Sequence, residues 1–220
     1  LFVTLGCAKN EVDTDRMRSL LLRAGYSETA DADVADAVIV NTCSFLASAT
    51  SESIERTLEL AEANTEGVRE RPIVMCGCVP SRYGDDLPTE LPEVAAFVRA
   101  DAEDGIVSVM DGVLGRKSVV SAAEGAAAGP LAAPLRTVEG ASAYVKISDG
   151  CDRFCSFCAI PYIRGRYASR PYAEIEGEVR ALAEQGVREF VLIGQDTGIW
   201  GRDLGEGDTL ASLLTRLAQV

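Results

Sequence analysis

The chain has 220 residues, 47% of them hydrophobic and 25% charged, a composition that can bury a core and is not that of a disordered tail. At ~150 residues per domain it has room for one to two domains. It holds seven cysteines and no histidine, at a net charge of −13, so no Ser-His-Asp triad, no Cys-His protease pair and no His-ligated zinc or haem can be built from these residues. Chemistry is expected from sulfur.

Leu1 to Leu5 reads as a short strand. Asp13 to Ala24 carries Met17, Leu20, Leu21 and Ala24 at helical spacing, with Gly25 as the stop. Asp36 to Val40 is a second buried strand, Ser51 to Ala63 a second helix, Pro72 to Met75 a third strand, Val94 to Val98 a fourth, and Gly105 to Leu114 a closing helix. Continuous apolar strands alternating with helices predict a parallel sheet covered on both faces. The expected fold is α/β, a flavodoxin-like or Rossmann-like doubly wound domain over 1–116. Residues 117–142 are rich in Gly, Ala and Pro and read as a linker. Ala143 to Ile147 begins a second β/α domain over 143–220, followed by a helix from Tyr172 to Gln185, a strand from Glu189 to Ile193 and a helix from Thr209 to Val220.

The chain opens on a strand without Met and stops inside an amphipathic pattern, so it reads as a piece of a longer protein. No apolar run approaches the ~18 residues that span a bilayer. The odd cysteine count argues against a disulfide framework, and the expected setting is cytoplasmic and reducing. Residues 1–140 hold 12 basic and 23 acidic side chains, and residues 141–220 hold 9 and 11. The first domain is therefore a poor binder of nucleic-acid backbones. Its acidity suits a basic partner, or simply a solvated surface.

The densest sulfur motif is Cys151-Asp152-Arg153-Phe154-Cys155-Ser156-Phe157-Cys158, or CxxxCxxC. Structural zinc wants four N or S ligands, and only three are local. Three thiolates suit a 4Fe-4S cluster with one iron left open. A second set is dispersed. Cys7 follows the first strand, Cys43 the second, and Cys76 and Cys78 the third. Ligands of parallel α/β sheets bind beyond the carboxyl ends of the strands. Strands one, two and three are neighbours in the flavodoxin-like order, and at ~4.8 Å per strand their tips lie within reach of one cofactor. Strand alternation points Cys76 and Cys78 to the same face and does not choose between them. Cys78 lies further out, after Gly77, while Cys76 reads as a small buried hydrophobe.

With Phe157 before its last cysteine, CxxxCxxC resembles the radical S-adenosylmethionine signature. Joined to Leu5-Gly6-Cys7-Ala8-Lys9-Asn10, Asn41-Thr42-Cys43 and Gly77-Cys78, and to Arg164-Gly165 and Ser169-Arg170-Pro171, it is similar to the methylthiotransferases of that superfamily. The Cys7 motif and Gly194-Gln195-Asp196-Thr197 resemble the branch that modifies an aspartate of small-subunit ribosomal protein twelve rather than the branch that modifies tRNA adenosine. Trp200-Gly201 and Ala8 depart mildly from the pattern.

The resemblance implies a transferase whose second domain begins a partial TIM-type barrel. It implies two 4Fe-4S clusters, a catalytic one on Cys151, Cys155 and Cys158 and an auxiliary one on Cys7, Cys43 and Cys78. S-adenosylmethionine on the open iron of the first would yield a 5′-deoxyadenosyl radical that takes hydrogen from the aspartate β-carbon. The auxiliary cluster would supply sulfur, and a further S-adenosylmethionine the methyl group. Implied partners are the ribosomal protein and an electron donor protein. Phe157 is expected beside the adenine or over the cluster, and Gln195, at a barrel strand end, at the cofactor's amino acid moiety. Arg153, Arg164, Arg166 and Arg170 form either a solvated basic loop or a carboxylate site. The rival readings are the tRNA-directed enzyme and a non-catalytic iron–sulfur or zinc binding module.

Overall fold

The structure is a computed structural model that describes residues 1–66, 70–116, 140–205 and 207–220. The chain divides between Ala127 and Ala128 into two compact units. Most of the expected linker, 117–139, lies outside the described residues.

The first unit is built on four parallel strands: β1 (Phe2–Thr4), β2 (Val38–Thr42), β3 (Ile73–Gly77) and β4 (Val94–Arg99). Between them run α1 (Ala8–Arg23), α2 (Ala47–Glu66), α3 (Cys78–Tyr83) and α4 (Leu87–Glu90), and α5 (Ile106–Val113) follows β4. Residues of β2 and β3 are buried throughout, as the continuous apolar runs require. Their pleat divides the core in two. Ile39, Val74 and Cys76 face Met17 and Leu21 of α1 and Ile106 and Met110 of α5. Val38, Val40, Ile73 and Met75 face Ala61 of α2, Val79 of α3 and Leu87 of α4.

The sheet order is β1-β2-β3-β4. The expected adjacency of the first three strands holds, but the flavodoxin-like order, with β1 in the middle, does not. The reason lies in burial: β2 is enclosed on both faces, whereas the three-residue β1 is only half covered and ends on an exposed Thr4, as befits an edge. Thr4 pairs with Asn41, and Asn41 with Cys76, so the three strands end level.

Helix α1 starts five residues before the expected Asp13. Its first turn contains Lys9 and Asn10, both buried, and these polar side chains hide the apolar period that becomes visible only from Val12. After α1, the Tyr26 hydroxyl donates to Asp111 Oδ1 of α5 at 2.6 Å, under the Arg116 guanidinium at 4.2 Å from the ring centre.

In the second unit β5 (Ser142–Lys146) pairs in parallel with β8 (Glu189–Ile193). Helix α7 (Tyr172–Glu184) crosses between them, and α8 (Leu210–Leu217) follows. Their shared core is Ala143, Val145, Ile147, Ile175, Val179, Leu182, Trp200 and Leu213. Two further short strands were not legible in the sequence. Strand β6 (Ser148–Asp149) pairs antiparallel with β7 (Ala168–Ser169) and clips the root of the cysteine-bearing loop, which contains the short helix α6 (Ile160–Ile163). Helix α8 is opened by a reciprocal cap, Ser212 N donating to Thr209 Oγ1 at 3.1 Å and Thr209 N to Ser212 Oγ at 2.9 Å. Among the described residues no helix is long and apolar enough to cross a membrane.

Met17 is fully buried where α1, α5 and the sheet meet. Met17→Ala is expected to cost about 2–5 kcal/mol, read as a lower urea midpoint of the first unit with an unchanged slope. Burial, reinforced by the bond to Asp111, pushes the Tyr26 hydroxyl up to about 12. The folded state thus holds this proton more tightly than the unfolded one. Its contribution to stability is complete below pH 10 and is lost as pH rises from 10 through 12. Tyr26→Phe should flatten that alkaline step in pH-dependent urea titrations.

Candidate metal centres

Cysteines 7, 43 and 78 stand at the carboxyl ends of β1, β2 and β3. Cys7 is exposed and caps α1, while Cys43 and Cys78 are buried. The loops that carry them are in direct contact. A Cβ placed on Gly6 would lie 2.4 Å from Cys43 Cβ and 3.0 Å from its sulfur, so only glycine lets the Cys7 loop rest on Cys43. Gly77, at φ +91°, turns the chain out of β3 so that Cys78 starts a helix, and a Cβ there would strike Asn41 Oδ1 and the Thr42 carbonyl. This turn separates the two candidates for the third ligand. Cys76 remains in the strand with no exposure, packed among Ile39, Val98 and Ile106. Burial, with Glu103 nearby, pushes its thiol well up. Strand alternation therefore does not carry through Gly77, and the expectation that both cysteines share a face is corrected.

Four side chains without an expected role fasten these loops. Asn10 Nδ2 donates to the carbonyls of Leu5 and Thr42, each at 2.8 Å. Asn41 Nδ2 donates to Asn10 O and Thr14 Oγ1, each at 3.0 Å, and its Oδ1 is buried with no hydrogen-bond partner among the described residues. Thr42 Oγ1 donates to Cys76 O at 2.6 Å and accepts from Val79 N at 3.2 Å. Ser53 Oγ accepts from Cys43 N and donates to Cys43 O, at 3.1 and 3.0 Å. The signal in the sequence was the ending of an apolar strand in Asn-Thr, and a Lys-Asn pair in a helix's first turn.

In the second unit the CxxxCxxC loop leaves β6 through Gly150, where a Cβ would collide with the Arg166 carbonyl. Cys151 N donates to Gly165 O at 3.2 Å, and Cys158 N to Cys155 O at 3.0 Å. Between the first two cysteines Phe154 sits at φ 46°, the sole positive-φ non-glycine residue among those described. Such a backbone costs about 1–3 kcal/mol and persists only where its surroundings enforce it. Here the ring meets Tyr162 edge-on at 6.1 Å, with Arg166 over it at 5.2 Å. Cys155 is exposed, and Cys151 and Cys158 are half-buried. Phe157 is 89% exposed, so it covers nothing of this chain and is open to a ligand. Gln195 is half-buried on the loop after β8.

The four arginines divide between the two expectations: Arg153 and Arg166 are solvated and Arg164 and Arg170 are largely buried, and each pairs with a carboxylate of the chain. Arg153 Nε meets Asp196 Oδ2 at 2.7 Å, Arg164 lies 3.6 Å from Asp149, Arg166 3.2 Å from Asp152, and Arg170 2.7 Å from the buried Glu178. The Asp196 carboxylate, as bond acceptor and as charge, raises the affinity of Arg153 for its proton further.

All seven cysteines are free thiols. Among the described residues no three His, Cys, Asp or Glu side chains gather closely enough to hold a single metal ion. Zinc would need its sulfurs at ~2.3 Å from one centre, whereas a four-iron cluster is larger and takes its thiolates further apart. Two sets of three thiols, each within loops that glycines bring close, are a donor chemistry suited to iron–sulfur clusters. In metal-free protein, alkylation followed by peptide mass spectrometry should mark Cys7 and Cys155 first, and Cys76 only after denaturation.

Residues 1–99 match the model described as uncharacterized protein family UPF0004, and residues 145–212 match that of the radical SAM superfamily. The chain is 44% identical, along all of its length, to the ribosomal protein uS12 methylthiotransferase RimO of Symbiobacterium thermophilum, covering 45% of that protein. It is 40% identical to the enzyme of the same name from Solibacter usitatus over its whole length, covering 46% of the relative. Against that of Kineococcus radiotolerans it is 38% identical over 99% of the chain, covering 51%. The chain thus spans about half the length of the curated relatives it matches. It carries a UPF0004 match followed by a radical SAM match, and it is similar from end to end to proteins named as methylthiotransferases of ribosomal protein uS12.

Proposed function

We propose that this chain provides the cluster-bearing half of an enzyme that transfers a methylthio group to the β-carbon of an aspartate in ribosomal protein uS12. The reading rests above all on two thiol triads, one in each unit, in a chain whose relatives along its full length are named for that modification. A tRNA substrate is not favoured, because the matched relatives carry the ribosomal-protein name and the first unit is acidic.

Cys151, Cys155 and Cys158 would hold one four-iron cluster and Cys7, Cys43 and Cys78 the other, each leaving one iron without a protein ligand. When bound, the first cluster and S-adenosylmethionine supply a radical that activates the target carbon, and the second cluster supplies sulfur. The chain's own side chains bind and orient. Asn10, Asn41, Thr42 and Ser53 keep the three N-terminal loops at fixed spacing. Gly150 and the β6–β7 clip hold the CxxxCxxC loop at the carboxyl end of β5, where β/α barrels place their reactive groups. Phe157 offers an apolar ring to the adenine, and Gln195 an amide to the amino acid moiety. Cys76 takes no part, since it stays within β3 with its side chain packed in the core among Ile39, Val98 and Ile106. An electron donor protein is required, and the setting is the cytoplasm.

Anaerobic reconstitution of the full-length protein tests the assignment. The expected result is iron and sulfide for two four-iron clusters, halved by Cys151→Ala, Cys155→Ala and Cys158→Ala together and halved by Cys78→Ala, but unchanged by Cys76→Ala. Reductant-dependent release of 5′-deoxyadenosine should disappear with the first set alone. Bound zinc without cofactor cleavage, or a strain lacking the gene that loses methylthio groups from tRNA and not from uS12, would overturn the reading.

A further inference from the structure

Of the four arginines around the CxxxCxxC loop, three pair close to home. Arg166 binds Asp152 in the same loop, Arg164 lies beside Asp149 at its root, and Arg170 reaches Glu178 on the helix that follows. Arg153 differs. It stands between the first two cysteines and crosses to Asp196, 43 residues on, in the loop after β8. The pair is asymmetric, with 63% of the Arg153 side chain exposed and only 17% of Asp196. The fixed partner is thus the aspartate, and the arginine is drawn onto it.

The loop after β8 is held against the same region from its other side. Gly194 abuts Ser148, since a Cβ on it would lie 2.4 Å from Ser148 Oγ. Further along, Gly201 N donates to Ser169 Oγ at 2.9 Å, and Trp200 Nε1 donates to Arg170 O at 3.1 Å. These contacts fix the loop to the β6–β7 clip, at the root of the cysteine loop. The Arg153–Asp196 bond ties it to the segment that carries the three cysteines. Gln195 lies between the two anchors, with Gly194 pressed on Ser148 on one side and Asp196 bound to Arg153 on the other.

We infer that Arg153 and Asp196 form a positioning pair that sets Gln195 and the CxxxCxxC loop at the separation S-adenosylmethionine needs, an assignment that rests on the function proposed above. Neither residue touches the reacting atoms. The pair removes the freedom of two loops before the ligand arrives, so its loss appears as weaker cofactor binding rather than as a failure of chemistry. A charge-assisted bond to a largely buried carboxylate exceeds an ordinary surface ion pair, yet its open side leaves it sensitive to salt.

The test uses the reconstituted full-length protein and the variants Arg153→Met, Asp196→Asn, their combination and Arg153→Lys. Titration with S-adenosylmethionine is followed through the electron paramagnetic resonance signal of the reduced radical SAM cluster. Iron content should be unchanged in all variants. Cofactor affinity should fall about three- to tenfold in Asp196→Asn and Arg153→Met, with the double variant no worse than either single one. Arg153→Lys should recover part of the loss, and added salt should weaken binding in the unmodified protein more than in Asp196→Asn. Unaltered affinity in the variants would overturn the pair's role, as would loss of the cluster itself, which would assign the pair to holding the cysteine loop alone. Absence of any spectral response to S-adenosylmethionine in the unmodified protein would instead defeat the proposed function.

Discussion

Where β1 and β2 run out, the chain must turn away, and the half-buried carbonyl of Leu5 and the buried one of Thr42 are left without a partner from the sheet. One fully buried amide, that of Asn10, satisfies both at 2.8 Å. An unpaired buried carbonyl costs about 1–3 kcal/mol, so this side chain is bound to its place. Being one turn into α1, it brings the helix start with it, and with the helix start comes Cys7. Asn41 repeats the device from the strand side by bonding the backbone of Asn10 itself. The level ends of three parallel strands would otherwise be three independent loops. The two asparagines join the first two, and Thr42, bonded to Cys76 O and Val79 N, joins the third, making one surface from which three thiols can be presented.

The second unit meets the same requirement by other means. Its cysteines are close in sequence, so no sheet is needed to gather them, but a short loop is soft. It is stiffened by a two-residue antiparallel clip, by a phenylalanine held in a left-handed conformation and by ion pairs drawn from a run of arginines. The first unit relies on buried neutral amides and hydroxyls, and the second on half-exposed charges. The contrast follows from burial. A closed sheet end can enclose a neutral polar group that is fully bonded, whereas a loop at the end of a two-stranded parallel pair remains in contact with water, where charges bear little desolvation cost.

Much of this was legible from residues alone. The continuous runs Val38-Ile39-Val40 and Ile73-Val74-Met75 could only be central parallel strands, and the cysteines after three successive strands marked one end of the sheet. What escaped reading escaped for physical reasons. The start of α1 was hidden because Lys9 and Asn10 are buried by hydrogen bonding rather than by apolarity, so no hydrophobic period announces them. The position of β1 at the edge was hidden because three apolar residues look alike whether one face is covered or two. The arginine run could be seen but not interpreted, since its partners, Asp149, Asp196 and Glu178, lie beyond any local spacing. The choice between Cys76 and Cys78 turned on a single backbone angle at Gly77, which alternation cannot foresee.

The level strand ends also bear on when each triad can exist. Cys7, Cys43 and Cys78 are parted by whole strand-and-helix crossovers, so the strand ends that carry them come side by side only after β1, β2 and β3 have paired in register. Parallel pairing of this kind closes long loops before any contact repays the entropy, and it is slow. Cys151, Cys155 and Cys158 lie within eight residues and need only the local turn that Phe154 and the β6–β7 clip impose. The N-terminal triad is therefore a product of the finished fold, while the second can gather as soon as its own hairpin has closed. A nascent chain exposes the slow-forming triad first, since it leaves the ribosome ahead of the other, and for that interval its three thiols are separate, solvated and individually open to oxidation.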